Sequence, residues 1–139
     1  MTDTKAGGRE WKSLIDRTAF DIAQGEYQGY ATTWANCMTE ARALRERIVP
    51  LERAQADIEA LNWRSGLAGH NDGERKADLR LRLDGDPTYQ AYQQEMNDLK
   101  GELARVTDHA ADAANQMAMY RRMMDWEIAM LRARTEERR

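Results

Sequence analysis

Proline occurs twice in this 139-residue chain, cysteine and phenylalanine once each, and histidine twice. Each scarcity excludes something. With Pro50 and Pro87 the only helix breakers of that kind, nothing stops long helices on either side of them. Cys37 has no partner for an internal disulfide, which fits a reducing cytosol. No apolar run approaches the roughly 20 residues of a membrane span, and the first residues lack the apolar stretch of a signal peptide. A soluble, cytoplasmic protein is the expectation. His70 and His109 are too few and too far apart in sequence to suggest a catalytic cluster. No phosphate-binding GxxxxGK[ST], nucleophile-elbow GxSxG, zinc-binding HExxH or CxxC pattern is present. The sequence therefore predicts no enzyme, cofactor or metal site. Asp84-Gly85-Asp86-Pro87 is a turn and helix cap rather than a cation loop, and His109 with Asp108 or Asp112 is a solvated surface group.

What the chain has in quantity is helix former, arranged in seams. Asp86 is suited to an N-cap and Pro87 to the first helical position, where a missing N–H costs nothing. From there apolar residues recur at alternating steps of four and three: Tyr92, Met96, Leu99, Leu103, Val106, Ala110, Ala113, Met117, Tyr120 and Met124. Further on, a second row appears at Met119, Met123, Trp126 and Met130, beside Ile128 and Leu131, so the apolar face widens to that of a helix covered on two sides. A helix over 87–137 would be about 75 Å long, so an elongated shape is expected.

Earlier in the chain, residues 1–8 are small and polar and are expected to be disordered. A helix over 9–24 carries Trp11, Ile15, Ala19 and Ile22 on one side, and Gly25 and Gly29 predict a bend after it. The next helix, 26–62, repeats the seam at Tyr27, Tyr30, Trp34, Cys37, Ala41, Leu44, Ile48, Leu51 and Ile58, with polar Gln55 intruding. Pro50 predicts a kink without a break, because the seam keeps its phase on both sides. Residues 63–72 form a loop, and Asn71 with Glu74 has capping-box spacing. Residues 73–84 fit a strand or a short helix, and a lone strand would lack a partner, which favours helix. The expected fold is all-α: one helical domain over 9–139, an antiparallel coiled-coil-like hairpin of long helices with an N-terminal helix and a short connecting helix. A two-helix hairpin buries little apolar surface by itself, so a homo-oligomer is expected, with the N-terminal helix covering the methionine-rich overhang in the same or a neighbouring subunit.

Two sets of residues are candidates for function. Trp63, Arg64, His70, Arg75 and Lys76 surround the loop, where helix N–H groups and cations can hold phosphates and Trp63 can stack on a base. A plain connector explains the same residues, with Trp63 as a lid on the hairpin end. Met119, Met123, Trp126 and Met130 form an adaptable apolar row for a partner, or an ordinary core or oligomer contact. The net charge of -3 argues against a simple polycation, although Arg121, Arg122, Arg132, Arg134, Arg138 and Arg139 load the C-terminal end, where they also complement the helix dipole.

The turn Trp63-Arg64-Ser65-Gly66, the polar glycine-bearing loop, the aspartate-led C-terminal helix and the run Arg122, Trp126, Ile128 together resemble the small helical recombination-mediator proteins of tailed phages, the UvsY-like family. Asn71 to Leu79 also resembles a segment of short helical phage proteins of unassigned role. The likeness spans about residues 26–135. It implies an oligomeric accessory protein of DNA recombination or replication that binds single-stranded DNA, recombination proteins and single-strand-binding proteins. In that family basic residues precede the aromatic-Ser-Gly turn; here Ile58 and Ala60 stand there, leaving Arg64, Arg75 and Lys76 as substitutes. The alternative is a coiled-coil structural, assembly or adaptor protein that acts only through protein contacts.

Overall fold

The computed structural model describes the backbone of residues 4–138 and the side chains of residues 18–138. Three helices follow one another: α1 (Thr4–Arg64), α2 (Asp72–Asp84) and α3 (Pro87–Glu137). Among the described residues there is no strand, and the long helices α1 and α3 pack together as an antiparallel hairpin. The chain divides into two compact units: residues 38–107, and residues 1–37 with 108–139.

α1 differs from the expected pair of helices, 9–24 and 26–62. It runs unbroken for 61 residues through Gly25, Gly29 and Pro50. Each glycine costs about 1 kcal/mol in helix propensity, too little to outweigh a seam that continues in phase across both. Residues 4–8, expected to be disordered, also belong to α1, while residues 1–3 lie outside the described residues. The short helix predicted over 73–84 is α2. Asn71 caps it, its side-chain oxygen accepting from the Glu74 N–H at 2.9 Å. Asp86 caps α3 ahead of Pro87, its carboxylate accepting from the N–H groups of Thr88 and Tyr89 at 2.9 and 3.2 Å.

In the unit of residues 38–107, Ala41, Leu44 and Ile48 of α1, Leu83 of α2, and Met96, Leu99 and Val106 of α3 are buried. Gln55, the polar residue in the apolar seam, is buried with them and satisfied: its amide donates to Gln93 Oε1 at 3.0 Å and to the Tyr89 carbonyl at 3.4 Å. Nearby, Tyr89 Oη donates to Glu59 Oε1 at 3.0 Å. Glu59 opposite Tyr89 and Gln55 opposite Gln93 run in opposite chain directions, which is the antiparallel register. Burial pushes the Tyr89 hydroxyl pKa up, and the Glu59 carboxylate, as hydrogen-bond acceptor and negative charge, pushes it further, with Asp84 adding to the effect.

The other unit has a different interior. Its buried residues among those described are Ala23, Cys37, Ala110 and Ala113, all small. Its large apolar side chains are only partly covered: Tyr27, Tyr30, Met117, Tyr120 and Met124 are half-buried, and Ile22, Trp34, Met119, Met123 and Trp126 are exposed. Trp34, placed on the seam by its spacing, is thus not enclosed. Within one chain Ile22 is exposed and does not cover the α3 row, and the Trp11 and Ile15 side chains lie outside the described residues.

Candidate contact surfaces

The connector between α1 and α2 is built by local hydrogen bonds. Ser65 N–H returns to the Leu61 carbonyl at 3.0 Å, and Ser65 Oγ donates to the Asn62 carbonyl at 3.0 Å, closing the end of α1. Gly66 then turns the chain at φ +85, in the left-handed region that favours glycine. Asp78 of α2 accepts from the Ala68 N–H at 2.9 Å and pairs with Arg82 at 3.2 Å. Arg82 in turn donates to the Gly66 carbonyl at 3.0 Å. Asp78 and Arg82 therefore pin residues 65–68 against α2. The i,i+4 spacing of Asp78 and Arg82 was the signal for this pair available in the sequence.

Against this frame the five candidate nucleic-acid residues are all exposed. Trp63, 42% exposed, does not close the hairpin end as a lid would. The His70 N–H donates to Glu74 Oε2 at 2.7 Å, and Arg75 Nε reaches the Gly69 carbonyl at 3.5 Å. The α2 N-terminus, where a phosphate was expected to settle, already carries the Asn71 cap and two carboxylates, Asp72 and Glu74. Those carboxylates repel an anion at the place where the helix dipole attracts one. The bonds that join the loop to α2 run to Glu74, Arg75, Asp78 and Arg82, and none of them brings Trp63 and Arg64 together with Arg75 and Lys76. Leu61 and Leu81, exposed large apolar residues of the same unit, were not singled out by sequence.

The second candidate set lies in the unit of residues 1–37 and 108–139. Met119, Met123 and Trp126 are 43%, 47% and 65% exposed, while Met130 is half-buried. Their 4-3-4 spacing makes a seam rotated about 110° around α3 from the one that faces α1. On the other flank of this unit, Tyr27, Trp34, Ala114, Met117, Ala118 and Arg121 line an open groove of about 340 Å³. Both flanks of the helix pair are thus apolar, which the sequence had indicated for the methionine row but not for the alanine-lined groove.

No described group of three or more His, Cys, Asp or Glu side chains is placed to hold a metal ion. No described helix is long and apolar enough to cross a membrane. No family model matches the chain, and no curated protein or solved structure matches it either.

Proposed function

We propose that this chain is a non-enzymatic, self-associating contact protein, an assembly or adaptor component whose work is done by helix faces. One observation carries this reading. Among the described residues of the unit 1–37 and 108–139, those buried are alanine and cysteine, while the large apolar residues stand partly in water. Burial of a large apolar side chain contributes about 1.5–3 kcal/mol, so the exposed Trp34, Met119, Met123 and Trp126 leave part of that stabilisation unrealised in a single chain. A row of exposed large apolar residues flanked by Arg122 is the character of a contact surface. Trp126→Asp and Met123→Asp should abolish self-association or capture of a protein partner while keeping the helical circular-dichroism spectrum. Variants that bind as the parent does would remove the proposal.

A second reading places single-stranded DNA at the connector and the chain in phage recombination or replication. It is supported by exposed Trp63, Arg64 and Lys76 and by the sequence likeness to phage recombination mediators. Fluorescence anisotropy with an oligonucleotide at ~50 mM salt tests it. Micromolar affinity that falls with salt and disappears in the Arg64→Glu, Arg75→Glu, Lys76→Glu variant is expected; no binding at that salt would sink it.

A further inference from the structure

We propose that the methionine–tryptophan seam of α3 packs against α1 of a second copy, related by a two-fold axis running along the helix pair. The proposal rests on the contact reading above and specifies its geometry. Four features of this unit lead to it.

The first is the seam itself. Met119, Met123 and Trp126 continue the four-three rhythm by which helices interlock, and they are exposed. A row so spaced is shaped for another helix rather than for an irregular ligand.

The second is the surface beside it. In an antiparallel pair, the positions just before corresponding seam residues of the two helices fall on the same side. Met123 precedes Met124, and Glu26 and Thr33 precede Tyr27 and Trp34, so α1 presents Ile22, Glu26, Gly29 and Thr33 on the side where α3 presents its second seam. A Cβ added at Gly25 or Gly29 would meet nothing within 4 Å. The Thr33 hydroxyl donates to the Gly29 carbonyl at 3.1 Å, and the Thr32 hydroxyl to the Gln28 carbonyl at 3.0 Å, so their polar groups are turned back on the helix. This is a shallow, weakly polar trough next to a row of large knobs.

The third is charge. Residues 18–37 carry Asp21 and Glu26 and no lysine or arginine, whereas α3 carries Arg122 beside the second seam. Arg122 beside the ridge and Glu26 in the trough are opposite in charge, and one copy supplies one of each.

The fourth is level. Tyr30 stacks on Tyr120, and Tyr27 and Trp34 share a groove with Arg121 and Ala114, which fixes which residues of α1 and α3 stand at equal height. A two-fold axis parallel to the pair preserves those heights and lays α3 antiparallel on the second copy's α1. Met119 then meets Gly29, Met123 meets Gly25, Trp126 meets Ile22, and Arg122 stands near Glu26. The four-three spacing of the knobs matches the four-three spacing of 29, 25 and 22. The other arrangement, with the axis across the pair, puts α3 on α3 and α1 on α1, so that knobs meet knobs and trough meets trough. A face of about 20 residues on each helix, ~30 Å by ~20 Å, presents on the order of 600 Å² in projection, close to the ~800 Å² per partner of a standard interface.

The test uses the full-length chain with Cys37→Ala as background. Protein carrying Met123→Cys is mixed with differently tagged protein carrying Gly25→Cys and oxidised with diamide, and dimer affinity is measured separately for Arg122→Glu, Glu26→Arg and the double variant. The expected result is a disulfide between the two tags in the mixture and none between Met123→Cys chains alone. Each charge reversal should raise the dimer Kd about tenfold or more, and the double variant should restore it. Self-association without the mixed cross-link, a Met123→Cys homodimer, or no rescue in the double variant would overturn this pairing while leaving the contact reading intact. A helical monomer at every concentration would overturn both.

Discussion

The rings of Tyr30 on α1 and Tyr120 on α3 stack with centroids 5.9 Å apart and planes 19° from parallel. In a unit whose buried residues, among those described, are alanine and cysteine, this pair is a principal large contact between the two helices. Aromatic pairs of this kind contribute about 0.5–1.5 kcal/mol beyond the area they bury. A double-mutant cycle with Tyr30→Leu and Tyr120→Leu, followed by urea denaturation, should return a coupling of about 1 kcal/mol. Additive losses would mean that the rings are neighbours without being partners.

Gln55 gives a prediction of the opposite sign. Its amide is satisfied by Gln93 and the Tyr89 carbonyl, yet Gln93 is only half-buried and also donates to Asn97 Oδ1 at 3.0 Å. Gln55→Leu removes a buried polar group without stranding its partner, so the unfolding midpoint should rise, by about 1 kcal/mol. A fall of that size would show that the bond to Gln93 contributes more than the burial of an apolar side chain.

Two glycines should respond in contrary ways to alanine. Gly101 lies inside α3 with open space where a Cβ would stand, and Gly101→Ala should stabilise by about 1 kcal/mol through helix propensity. Gly69 has φ +137, and its Cβ would fall 2.6 Å from Glu74 Cβ and 3.0 Å from the Arg75 nitrogen. Gly69→Ala should destabilise by about 2 kcal/mol. Thermal melts of the two variants against the parent measure both effects.

Tyr89 makes stability depend on alkaline pH. Its hydroxyl pKa is raised in the folded chain by burial first and by Glu59 second, so above the ordinary tyrosine value of 10.0 the folded state holds a proton that the unfolded state has lost. The associated stability is full below pH 10 and disappears as pH climbs through the raised pKa. Melting temperature should therefore fall more steeply above pH 10 in the parent than in Tyr89→Phe; identical slopes would contradict the assignment.

The fold was largely legible because it depends on period. α3 begins at Pro87 as its Asp-Pro start predicts, and the buried positions Met96, Leu99, Val106, Ala110 and Ala113 lie on the seam read from spacing alone. Gly25 and Gly29 misled because local propensity was weighed without the seam that spans them. The functional surfaces were less legible. Spacing showed that Met119, Met123 and Trp126 form a row, but which side of a helix remains in water depends on what packs against it, and one sequence does not encode that in its own periodicity. At the connector the Asn71–Glu74 cap was legible from its spacing, whereas the acceptor role of Asp78 toward the Ala68 N–H depends on how the loop folds back on α2.

The central claim, that the apolar face of residues 108–138 is covered by association, is tested most directly by sedimentation equilibrium across ~1–100 μM, the parent beside Trp126→Asp. The account predicts that the parent approaches at least twice the chain mass of 16.0 kDa and that the variant stays at one chain mass with its helicity intact. A parent that remains at one chain mass throughout would contradict it.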